Sequence, residues 1–186
     1  RDAVNWLREK GISKAAKKQS RIAAEGLATV LVEGNRAVIV EVNSETDFVA
    51  KNPEFTTLVD NIATLVLENN PSNMEEAMKI KTEDSTIEDL IVSKTATIGE
   101  KLSLRRAELV IKTDSQNFGP YLHMGGKIAS LVVTEGANEE VAKDCAMQAA
   151  AMRPSYLKAE DVPQEVLDRE KEVLKAQAME EGKPED

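Results

Sequence analysis

Histidine and cysteine are almost missing from this chain, with one of each, His123 and Cys145, in 186 residues. That scarcity leaves little for nucleophilic or acid–base catalysis and too few ligands for a His/Cys metal centre. A single cysteine also excludes an internal disulfide framework and fits a reducing, cytoplasmic setting. Aromatics are scarce too, at 3%, so a core must be aliphatic. No apolar run approaches the roughly 18–20 residues of a membrane span, and no signal-peptide pattern opens the chain. Positive charge is in the minority. The 24 bases against 33 acids give a net charge of -9, which is repelled by phosphate backbones and argues against direct nucleic-acid binding.

What is present suffices for folding. At 41% hydrophobic and 31% charged the chain can bury a core, and its length suits one domain or two small lobes. Residues 1–11 read as a helix already under way at Arg1, so the true N-terminus is expected to be missing. Val4 and Leu7, joined by Trp6, give that helix an apolar face, and Gly11 is its stop signal. Residues 12–25 form a linker with Lys14, Lys17, Lys18 and Arg21 and no acid before Glu25. Such a run suits an RNA-binding arm, but the overall acidity favours a solvated helical linker.

From Leu27 the period changes. Two β-branched runs, 27–32 and 36–42, flank Gly34-Asn35, a hairpin signal. Asn52 as cap and Pro53 at the first helical position open a helix striped by Phe55, Leu58, Val59, Ile62, Leu65 and Val66, ending near Asn69-Asn70-Pro71. Residues 85–88 resemble a capping box for a second helix with Ile87, Leu90, Ile91 and Ile98 inward. Residues 102–112 form a strand, and 113–120 a loop. The pattern then begins again. Leu31–Arg36 lines up with Leu122–Lys127, the strand 36–42 with 127–133, and the helix 53–68 with 138–152, each helix running into Pro-Ser. This argues for an internal duplication. The fold expected is α+β, with two duplicated lobes, 26–113 and 114–186, each an antiparallel sheet packed with helices. A last helix starts at Pro163, carries Val166, Leu167, Val173 and Leu174, and frays at 181–184.

The copies differ between strand and helix, where the first reads Asn43-Ser44-Glu45-Thr46-Asp47-Phe48-Val49-Ala50-Lys51 and the second only Thr134-Glu135-Gly136-Ala137. A lengthened connection bearing an aromatic is a candidate site, unless Phe48 folds back over its own helix. Other chemistry is thin. Gly125-Gly126-Lys127 lacks both the first glycine and the Ser/Thr of a phosphate loop. Glu41, Glu45 and Asp47 are three carboxylates of the kind that are usually solvated rather than metal-binding. A His123–Cys145 pair sits on separate elements. No enzyme and no cofactor are expected.

The run Ser44–Asn52, with Glu45-Thr46-Asp47-Phe48-Val49-Ala50 complete, resembles the signature of the elongation factor Ts family. Trp6–Gly11 with Lys14–Lys18 is similar to the end of that family's N-terminal module and its linker. Ile98-Gly99-Glu100-Lys101 is similar to its I-G-E block, and Tyr121–Gly126 to its second hairpin, most like forms from Gram-positive bacteria. The resemblance covers essentially the whole chain, but lacks most of the N-terminal module and stops before a C-terminal helical hairpin. It implies a cytoplasmic guanine-nucleotide exchange factor for the GTPase EF-Tu, acting in translation elongation. Partner contacts would fall to Thr46, Asp47, Phe48, Val49, Ile98, Gly99 and His123, with Asp47 disturbing the partner's magnesium. An RNA- or ribosome-associated module without exchange activity is the alternative, and homo-oligomerisation is left open.

Overall fold

The computed structural model describes residues 2–182. Strands β1 (Glu25–Glu33) and β2 (Arg36–Ser44) pair antiparallel, with Glu33 opposite Arg36 across the Gly34-Asn35 turn. Gly34 sits at φ 57, a conformation that costs any residue with a Cβ and that a Gly-X hairpin turn requires. Strand β3 (Ser103–Ile111) joins the other edge of β2, giving the order β1-β2-β3. Alternation then decides the faces. Val38, Val40 and Val42 of β2 point to one side, where helix α3 (Pro53–Asn69) buries Phe55, Leu58, Val59, Ile62 and Val66.

The ends of α3 match the expectation. The Asn52 side chain accepts from the Glu54 N–H at 2.9 Å, and Asn70 closes the helix in the left-handed region at φ 49. Arg36 donates to Leu67 O at 3.2 Å and Asn70 Oδ1 at 3.1 Å, tying the helix end to the hairpin. Helices α4 (Met74–Lys79) and α5 (Ile87–Ile98) close this core, with Ile87 and Ile91 buried and Leu90 and Ile98 packed at its edge. The cap of α5 is Thr86, one residue beyond the expected Ser85; its Oγ1 accepts from the Asp89 N–H at 3.2 Å.

Helix α1 (Asp2–Ala16) runs through Gly11 instead of stopping there. The glycine lies against α5, where a Cβ on it would make ordinary contact with the Ala96 Cβ at 3.6 Å. Ala15 is buried, whereas Trp6 is more than half exposed with the Lys10 ammonium 4.7 Å over its ring. The side chains of Val4 and Leu7, and Lys183 and Pro184 where the last helix is expected to fray, lie outside the described residues.

The segment 113–120 is a loop only as far as Ser115. Strand β4 (Gln116–His123) then pairs with β5 (Ile128–Glu135) in a two-stranded antiparallel sheet. Loop-forming residues fit this strand for separate reasons. Pro120 is tolerated because β4 has a ladder on one edge only. Gly119 is required by close packing, since a Cβ there would come within 2.0 Å of Ala142 O. Ala142 belongs to helix α6 (Glu139–Met152), which buries its small face of Ala142, Ala146 and Ala150. Hairpin followed by helix thus occurs twice, as β1-β2-α3 and β4-β5-α6, and the fold is α+β with two antiparallel sheets.

The two sheets are joined directly where the Ala28 N–H of β1 donates to Gly126 O in the second hairpin turn at 2.7 Å. Both sheets lie in one compact unit, whose boundary with a second falls between Ala151 and Met152. The second unit holds a short 3-10 turn (Ala159–Asp161) and α7 (Gln164–Glu180), which follows Pro163 and leaves Val166, Leu167, Val173 and Leu174 exposed. Among the described residues no helix is long and apolar enough to cross a membrane.

Candidate functional site

The lengthened connection folds as a braced tip. Ser44, fully buried at the end of β2, donates its hydroxyl to Thr46 O at 3.0 Å and turns the chain. Thr46 then caps the four-residue helix α2 (Asp47–Ala50), its Oγ1 accepting from the Val49 N–H at 3.4 Å. Val49 packs against the core and Ala50 is buried. With those two side chains pointing inward, Phe48 is left pointing out. It is 82% exposed and does not fold back over its helix.

Asp47 accepts a hydrogen bond from the Lys51 ammonium at 2.7 Å. That bond, the Lys51 charge and the charge of Lys127 hold its carboxyl below the usual range, so Asp47 is ionised at neutral pH. Lys127 lies in the second hairpin turn, which places that turn within electrostatic reach of the tip. His123 ends β4 in the same hairpin. It is exposed, and its Nδ1 shares a 3.0 Å hydrogen bond with Tyr121 Oη.

Ile98 and Gly99 are brought to the tip from the far end of α5. Gly99 ends the helix at φ 90, and the next residue, Glu100, accepts three hydrogen bonds from the signature. Its Oε2 takes the Glu45 and Thr46 N–H groups at 3.1 and 3.0 Å, and its Oε1 takes the Thr46 hydroxyl at 2.6 Å. Glu45 returns the contact, its Oε1 accepting the Lys101 N–H at 2.6 Å and pairing with Arg21 at 3.3 Å. The Lys101 N–H, then Arg21, lower the Glu45 pKa. Lys101 in turn donates its ammonium to Gln19 O and Arg21 O at 2.7 and 2.9 Å. Thr46, Asp47, Phe48, Val49, Ile98 and Gly99 therefore gather around one tip, while His123 stands on the neighbouring hairpin with no hydrogen bond to it. Glu100 was not among the expected site residues. Nothing in spacing links it to Thr46; the signal that pointed to it was its place in Ile98-Gly99-Glu100-Lys101, the run similar to the family's I-G-E block.

Each of the three carboxylates near the tip faces a donor of its own. Glu41 is held by Arg106 at 2.7 Å, Glu45 by Lys101 and Arg21, and Asp47 by Lys51. Among the described residues no three His, Cys, Asp or Glu side chains are grouped to hold a metal. Gly125-Gly126-Lys127 joins two antiparallel strands rather than a strand and a helix.

Fold and tip together define a class: an α+β scaffold with a repeated hairpin–helix unit that holds an uncovered aromatic on a braced stem. Residues 45–186 match the family model described as elongation factor TS. The chain is 54% identical to an elongation factor Ts from Limosilactobacillus reuteri (strain DSM 20016), over 98% of its own length and 63% of the relative's. It is 56% identical to one from Pediococcus pentosaceus, over 98% and 62%, and 52% identical to one from Acholeplasma laidlawii, over 98% and 64%. The chain belongs to the elongation factor Ts family. It spans a little under two thirds of the length of these relatives.

Proposed function

We propose that this chain is a guanine-nucleotide exchange factor that binds EF-Tu–GDP in the cytoplasm and promotes GDP release during translation elongation. The observation that carries the reading is Phe48, 82% exposed on a stem fixed by its neighbours and standing beside an ionised carboxylate. An aromatic so placed is a wedge: it buries a large apolar area once it enters a partner's surface. Asp47 accompanies it and perturbs the magnesium that neutralises the GDP phosphates in the GTPase. To do so it must exchange its Lys51 bond for the partner's groups. Thr46 and Val49 set the stem, Ile98 and Gly99 flank it, and His123 offers a second contact from the lobe that begins at residue 114.

Magnitudes require that both lobes take part. Burying one Phe contributes roughly 1.5–3 kcal/mol, whereas moving a two-state equilibrium from about 1:99 to 99:1 takes around 5.5 kcal/mol. A wider interface must supply the difference. Linkage adds that a factor weakening GDP binding is itself weakened by GDP in the same ratio, so nucleotide rebinding releases it. An RNA-binding role for the basic segment is disfavoured by Arg21, whose guanidinium is engaged by Glu45.

The test is stopped-flow release of a fluorescent GDP analogue from EF-Tu, titrated with this chain. Release should accelerate and saturate, and Phe48→Ala should fold normally while stimulating release far less. The absence of both acceleration and binding to EF-Tu would overturn the reading, and full stimulation by Phe48→Ala would remove the wedge.

A further inference from the structure

A helix of four residues does not hold itself together in water, because nucleation costs more than so few hydrogen bonds return. The direction in which Phe48 points is therefore set by what supports α2 from outside. Its inward support is Val49 and Ala50. Its entry is supported by one carboxylate. Three donors from Glu45 and Thr46 converge on Glu100, two of them backbone N–H groups that α2 and β2 leave unpaired. The Thr46 hydroxyl donates to Glu100 and at the same time accepts from the Val49 N–H. Orientation thus passes from Glu100 through Thr46 into the first turn of α2, and hydrogen bonds in such a chain strengthen one another.

We infer that Glu100 is a positioning residue: its carboxylate presets the turn that aims the Asp47–Phe48 pair at the partner. The inference rests on the exchange reading above and adds to it a residue that touches neither nucleotide nor partner. Glu45 completes the arrangement from the opposite side by accepting the Lys101 N–H. The link between β2 and α2 and the link between α5 and β3 therefore clasp each other reciprocally, as the two ends of a capping box do within one helix. Gly99 belongs to the device, because its left-handed conformation at φ 90 is what turns the chain so that Glu100 faces Thr46.

Reach and charge are separable by substitution. Glu100→Gln keeps the reach and one of the two acceptor oxygens, its NH2 meeting the Thr46 hydroxyl, which turns to accept from it; Glu100→Asp keeps the charge but falls one methylene short; Glu100→Ala removes both. In the GDP-release assay the Gln variant should retain most of the maximal rate. The Asp and Ala variants should lose about tenfold or more, with the half-saturating concentration little changed. In a Phe48→Ala background the same substitutions should cost markedly less, leaving only the share that acts through Asp47. Amide hydrogen exchange, read without any partner, should show Thr46 and Val49 losing protection in the Asp and Ala variants and keeping it in Gln. Wild-type behaviour of Glu100→Asp, losses that simply add to that of Phe48→Ala, or unchanged Thr46 and Val49 protection would each overturn the inference. If Glu100→Ala fails to fold, the Asp–Gln contrast decides. If this chain does not speed GDP release at all, the exchange reading falls, and amide protection alone then decides whether Glu100 sets the tip.

Discussion

At the scale of the residue, Glu45 and Asp47 show how little separates a structural carboxylate from a functional one. Both are ionised, and both have their pKa lowered by nearby donors. Glu45 is turned toward Lys101 and Arg21 within the chain, whereas Asp47 pairs with Lys51, the residue that closes its own short helix. The sign of the Glu45 shift makes a prediction. A carboxyl whose pKa is depressed on folding contributes stability above its ordinary value of 4.5 and loses it as pH falls through the lower folded value. Glu45→Gln should therefore melt below the wild type near neutral pH, and the gap should close in acid. A gap that stays constant across the pH range would show that the Glu45 charge is not what matters. The candidate site was readable in its Thr46–Val49 run, because that run interrupts an otherwise repeated pattern. Its brace was not, because Glu100 lies 54 residues from Thr46 and no local rule joins them.

At the scale of the element, what was legible is what local chemistry decides. The Gly34-Asn35 hairpin and the Asn52-Pro53 start of α3 follow from backbone preferences acting over a few residues, and the structure has both. Where packing overrides those preferences, the sequence misleads. Gly11 reads as a helix stop but serves as the point where α1 lies against Ala96. Residues 116–120 read as loop, yet Gly119 is there because α6 approaches so closely. Gly119→Ala should cost about 1–3 kcal/mol, lowering the denaturation midpoint with the slope unchanged. A midpoint equal to the wild type would mean that α6 rides further from β4 than the 2.0 Å Cβ approach requires.

At the scale of the whole molecule, the repeated units are fastened where Gly126 meets β1. Gly125 and Gly126 are neighbours with positive φ, 66 and 97, but their surroundings differ. A Cβ on Gly125 meets open space, so Gly125→Ala should cost only the roughly 1–2 kcal/mol of a left-handed residue. A Cβ on Gly126 would lie 2.7 Å from Ala28 O. Gly126→Ala should therefore cost more and open the Ala28 amide to hydrogen exchange. Equal costs, with Ala28 still protected, would show that the two sheets hold together without this junction.

The clasp around Glu100 also orders events in time. Its bonds span 54 to 56 residues, and a chain is made from its N-terminal end at about 5–20 residues per second. Thr46 thus leaves the peptidyl-transferase centre roughly 3–11 s before Glu100 exists. During that interval β1 and β2 have everything their hairpin needs, but the Glu45 and Thr46 amides have no carboxylate to meet. A nascent chain halted short of Glu100 carries the complete signature and cannot yet give it its shape.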